Sequence, residues 1–207
     1  MMTLEELTAL ENEWLRKHPK GSLEDMHALC QETGVYEAWR RIFELYVIEA
    51  RKGDLEALKR ALFLYWYACS EPSEFSGIPA LDDGLTAEVL GMVNETAKKG
   101  RLDIELKWML PYYYYITDWY IERLEGFCEL KEVSKANREA YMPDWSQPAC
   151  YESLRGLQEA LARKLDLDPW EELCLKSSFS NRGQMGYYWK SVQDNLIERP
   201  RRENLEQ

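Results

Sequence analysis

Histidine is almost absent from this chain: 207 residues contain 2, His18 and His27. A di-iron bundle needs Glu-x-x-His on two helices and two further glutamates. Glu24-Asp25-Met26-His27 supplies that motif once, and Leu15 stands where the acid before His18 would be. His-rich zinc chemistry lacks its ligands too. A Ser-His-Asp or Cys-His site would have to use one of two residues that both sit near the N-terminus. The expectation is no catalytic set, no metal site and no cofactor.

Other absences narrow the class further. The cysteines at 30, 69, 128, 150 and 174 are odd in number and include no Cys-x-x-Cys. A disulfide framework and a zinc ribbon are both disfavoured, and reduced thiols in a cytoplasmic protein are expected. The longest apolar run, Ala61 to Cys69, is too short to cross a bilayer. The start, Met-Met-Thr-Leu-Glu-Glu, lacks the basic and apolar regions of a signal peptide. Basic charge is scarce: 26 Lys and Arg face 37 Asp and Glu, for a net charge of −11. The one compact basic run, Arg199-Pro200-Arg201-Arg202, is diluted by Glu203 and Glu206. Nucleic acid and anionic membranes are therefore not expected partners, whereas a basic protein, or a second copy of the chain, is. Alternating apolar and polar runs are missing, as are Asn-Gly or Asp-Gly turns between β-branched stretches, so no strand is expected.

What the chain does have is helical periodicity and aromatic side chains, with 8 Trp and 13 Tyr. Thr3 and Glu6 form a capping box for a first helix reaching about Lys17. His18-Pro19-Lys20-Gly21 interrupts it, Ser22-x-x-Asp25 opens a second helix, and Gly34 ends that one. Val35, Trp39, Ile42, Phe43, Tyr46 and Ala50 then fall on one helical face. Gly53 stops this helix, and the next, from Leu55, becomes apolar all round, as a central buried helix should. Residues 70–83 form a loop, and Thr86 is the expected cap of a helix with Val89, Leu90, Val93 and Ala97 inward. Pro111 predicts a kink or brief break near Leu110 in the following helix, which then continues past Gly126 towards Ala140. A loop over 142–148, an amphipathic helix on Leu154, Leu157, Leu161 and Leu165, a helix start at Asp168-Pro169, a polar turn over 177–183 and a last helix on Met185, Tyr188, Val192 and Leu196 complete the reading.

One stretch recurs. Lys52-Gly53-Asp54-Leu55-Glu56 leads into an aromatic-rich helix, and Lys99-Gly100-Arg101-Leu102-Asp103 does so again 47 residues later. No third copy follows, and a solenoid needs at least three. The expected architecture is all-α: a compact bundle of about 8 helices with two pseudo-repeated hairpins at its centre. It forms one domain over 1–198, with a frayed tail over 199–207.

Four features are candidates for function. The aromatic helix offers Trp108, Tyr112, Tyr113, Tyr115 and Trp119, and its counterpart offers Tyr65 and Trp66. Consecutive helical residues are about 100° apart, so four successive tyrosines cannot share one direction; the simpler role for them is core packing. Glu71 and Glu74 belong to an acidic loop whose spacing matches no calcium loop. Ser178 to Gly186 contains no Gly-Lys-Ser/Thr and is not a P-loop. Its backbone amides at a helix start, beside Arg182, could still hold an anion, with Tyr188 on the same rim. Together these predict a non-enzymatic protein-interaction module with an acidic surface and an aromatic-lined groove, of which an inhibitor or immunity-type protein is one version. The alternative is an enzyme or small-ligand bundle that combines the 70–83 carboxylates with Arg182 and the tyrosines.

Overall fold

The computed structural model of the chain describes residues 2–136 and 179–191. The expected loop over 142–148, the helix on Leu154 to Leu165, the start at Asp168-Pro169, Val192, Leu196, the tail and Cys150 and Cys174 lie outside the described residues. Among the described residues the chain is all-α, with no strand. It divides into two compact units, one of residues 1–95 with 181–185, the other of 96–180 with 186–207.

The first unit opens with α1, Leu4–Arg16. Its capping box forms as expected: Thr3 N donates to Glu6 Oε2 at 2.7 Å, and Glu6 N to Thr3 Oγ1 at 3.2 Å. α2, Leu23–Glu32, follows Ser22, whose hydroxyl donates to Asp25 Oδ2 at 2.6 Å. Gly34, at φ 75°, turns the chain into α3, Val35–Arg51. All six residues expected on its inner face are buried. α3 packs chiefly on α4, Leu55–Ser70, and also on α1 and α2. Asp54 caps α4 by accepting from Ala57 N at 2.9 Å. Every residue of α4 from Ala57 to Trp66 is buried, Lys59 and Arg60 included. Each large apolar side chain so buried contributes roughly 1.5–3 kcal/mol.

The 70–83 loop contains one helical turn, α5, Ser73–Ser76. α6 spans Asp83–Lys98 and starts earlier than expected. Its cap is Asp82, which accepts from Leu85 N at 2.9 Å, while Thr86 lies inside the first turn with its hydroxyl on the Asp83 carbonyl. A carboxylate at that position caps better than a threonine and adds charge at the positive helix end.

In the second unit α7, Ile104–Ile121, is capped by Asp103, which accepts from Leu106 N at 2.9 Å. The expected break near Leu110 is absent: the residue off helical geometry is Thr117 (φ −131°, ψ 38°). Thr117 Oγ1 donates to the Tyr113 carbonyl at 2.8 Å, a back-bond that competes with the helix's own ladder. The helix does not run on past Gly126. It ends at Ile121, Gly126 adopts φ 82°, and α8, Cys128–Ala136, begins anew and packs on α7. Among the described residues a final helical stretch, α9, occupies 183–191.

The echoed segments share a stop but not a start. α3 and α6 end 47 residues apart, at Arg51 and Lys98, whereas α4 and α7 begin 49 apart, at Leu55 and Ile104. Gly53 and Gly100 both take positive φ. The capping aspartates, Asp54 and Asp103, therefore do not align in the register that aligns the glycines.

Candidate functional site

The densest polar cluster of the first unit grows from α1. The helical period places Leu7, Thr8 and Glu11 on one inward face. Leu7 fits that face; Glu11 puts a carboxylate there, 1% exposed. Across from it the chain enters α9 through Asn181 and Gly183, at φ 58° and 57°. The first amides of a helix have no partner within it and form its positive end. Gln184 N donates to Glu11 Oε1 at 2.8 Å. The anion at this helix start is thus a side chain of the protein itself. Gly183 is required sterically as well: a Cβ there would lie 1.8 Å from Glu11 Oε2.

The second Glu11 oxygen accepts from Tyr46 Oη, on α3, at 2.6 Å. Arg60, on α4, donates through Nη1 to Thr8 Oγ1 at 2.6 Å and to Tyr46 Oη at 3.1 Å, and the same nitrogen lies 3.9 Å from Glu11. Arg60 Nε donates to Glu56 Oε1 at 2.8 Å. Arg182 grips the same carboxylate with two nitrogens, Nε at 2.7 Å from Oε1 and Nη2 on Oε2. Lys59 Nζ stands 3.3 Å from Glu56 Oε2. One network thus joins α1, α3, α4 and residues 181–185.

Burial pushes the Glu11 carboxyl up to about 7, against the opposing pull of Tyr46, the Gln184 amide and Arg60. Burial, then the neighbouring Glu11 charge, pushes Tyr46 upward too, so its hydroxyl stays protonated and donates. Burial also acts to raise Glu56, but Arg182 and Arg60 outweigh it and the net direction is down. The two carboxylates thus differ in charge near neutral pH: Glu56 is ionised and Glu11 is poised.

Beside this network a cleft of about 460 Å³ is lined by Leu4, Glu5, Thr8, Ala9, Asn12, Arg60 and Asn181. A second cleft, about 320 Å³, is lined by His18, Pro19, Lys20, Gly21, Met26, Glu74 and Phe75. Near it Tyr36 Oη lies 3.2 Å from both His27 Nδ1 and Ser73 Oγ, and His27 Nδ1 lies 3.7 Å from Glu74. Burial lowers His18 and raises Cys30. Among the described residues no group of three or more His, Cys, Asp or Glu could hold a metal ion.

The residues singled out in the sequence fall into separate settings. Tyr65 and Trp66 are buried in α4. Glu71 is half-buried, and Glu74 sits by His27. Arg182 is engaged by Glu56. In the second unit Tyr112, Tyr113 and Tyr188 do come together. The hydroxyls of Tyr112 and Tyr188 are 2.7 Å apart, and the Trp189 ring lies 4.9 Å from Tyr112 and 5.8 Å from Tyr113. Tyr115 is half-buried, and Trp119 is 54% exposed. The side chain of Trp108 lies outside what is described.

No family, no curated protein and no solved structure matches this chain. No helix among the described residues is long and apolar enough to cross a membrane.

Sequence reasoning missed Glu11, Tyr46, Glu56 and Arg60. A signal for Glu11 was present: it occupies the apolar register of Leu4 and Leu7. Its partner, 173 residues downstream, left no trace in local spacing.

Proposed function

We propose that the protein is a non-enzymatic interaction module that presents an exposed apolar face of α7 to a basic protein partner. The observation that carries this reading is the pair Ile116 and Trp119, 41% and 54% exposed and three residues apart on α7. Neighbouring large apolar side chains held in water favour a partner that covers them, and tryptophan is the residue most often central to such contacts. Asp118 lies between the two in the sequence, and the chain's net charge of −11 favours a basic surface opposite. An inhibitor of immunity type remains one concrete form. The buried carboxylates speak for the same reading: Tyr46 and the Gln184 amide hold Glu11, and Arg60 and Arg182 hold Glu56.

The test is a photo-crosslinking residue at position 119 of the full chain, followed by reconstitution with the purified crosslinked protein. The reading expects a partner of net positive charge whose affinity falls about tenfold or more in Trp119→Ala and weakens as salt rises from 0.05 to 0.5 M. A captured protein that binds Trp119→Ala equally well contradicts it, as does binding indifferent to salt.

A further inference from the structure

We infer that the cleft along α1 binds a small organic carboxylate with a short aliphatic body. Its volume of about 460 Å³ falls in the range of ligand pockets. Its walls divide by chemistry. Leu4 and Ala9 supply apolar surface, while Arg60, Asn12, Asn181 and Thr8 supply polar atoms, with Glu5 at the exposed edge.

Arg60 decides the ligand's charge. It is 4% exposed yet lines the cleft. Its hydrogen bonds are all made by Nε and Nη1, to Glu56, Thr8 and Tyr46. Two of those acceptors are neutral hydroxyl oxygens. The third, Glu56, is shared with Arg182. Nη2 keeps its protons for another acceptor, and a guanidinium binds an anionic oxygen more strongly than a neutral one. A planar carboxylate suits that donor, with the Asn12 and Asn181 amides able to complete the recognition. Leu4 and Ala9 favour an aliphatic tail over a bare inorganic ion.

The experiment is a titration of the full-length ¹⁵N-labelled chain with butyrate, its neutral isostere butyramide, and inorganic phosphate, read from the side-chain amide signals of Asn12 and Asn181. The inference expects butyrate to shift both signals and to bind about tenfold or more tightly than butyramide, with phosphate weaker than butyrate. Asn181→Asp places a negative charge on the cleft wall at an exposed position whose positive φ suits aspartate as well as asparagine. It should weaken butyrate about tenfold, and Asn12→Asp, on α1, should do the same. Butyramide binding as well as butyrate would overturn the assignment, as would butyrate affinity untouched by either variant. Phosphate binding as tightly as butyrate would overturn the aliphatic part of it.

Discussion

Glu11 and Gln184 lie 173 residues apart in the sequence and meet at 2.8 Å, the Gln184 amide donating to Glu11 Oε1. Around that contact the first unit gathers a network in which one carboxylate is fully ionised and the other titrates near neutrality.

Stability should fall as pH rises across this range. The folded-state pKa of Glu11, about 7, lies above the ordinary 4.5, so between these values the folded protein binds more protons than the unfolded chain. Unfolding free energy then decreases with pH from about 4.5 and levels off above 7. The full span is on the order of 3 kcal/mol. The carboxylates held low, Glu56 and Glu88 among them, act below 4.5. His18, lowered from 6.5 by burial, acts inside the window with the opposite sign, so the difference between the parent and a Glu11 variant isolates the Glu11 part. Urea unfolding at pH 5 and pH 8 measures the slope, and Glu11→Gln, which keeps an acceptor for Gln184, should flatten it.

Gly183→Ala should destabilise the chain by at least about 2 kcal/mol. The new Cβ would collide with the Glu11 carboxylate, which is too buried to swing aside, and alanine disfavours φ 57°. Gly53→Ala is the comparison. It shares the positive φ but meets nothing within 4 Å, so its cost is conformational alone. Thermal melts of the two variants separate collision from backbone strain.

Burial should decide which of two similar ion pairs matters. Arg51 grips Glu88 with two hydrogen bonds at 2.6 Å, and Arg182 grips Glu56 in the same manner. The first pair is 48% and 34% exposed, the second 10% and 24%. Double-mutant cycles should give the exposed pair a coupling below about 1 kcal/mol and the Glu56–Arg182 pair about 2 kcal/mol or more.

Ile116→Asp should cost no more than about 1 kcal/mol of stability, since the side chain is 41% exposed. The same change should abolish binding to the partner recovered through position 119. A large loss of stability would make Ile116 a core residue and remove it from the proposed face.

How far the sequence carried these conclusions depended on range. Local rules read well. The Thr3–Glu6 box, the inward face of α3 and the all-round burial of α4 follow from capping and period, because each involves residues within a turn or two. Rules that compete locally were harder. Propensity marks Pro111 as the break and Thr86 as the cap, whereas the structure uses Thr117 and Asp82, because propensity ranks residues without knowing which hydrogen bond forms. The site was legible in halves. The sequence marks the amides beside Arg182 only as able to hold an anion, and the structure fills that place with Glu11, while Arg182 itself holds Glu56. Nothing in local spacing ties residue 11 to residue 184, because the contact exists only once the helices have packed.

The titration of the Glu11 side-chain carboxyl, followed by ¹³C NMR on the full chain, bears most directly on this network. A midpoint near 7, tracked by the Gln184 amide signal through the same transition, is the predicted result. A midpoint near 4.5, or a Gln184 amide indifferent to it, would contradict the burial of Glu11 against the start of α9.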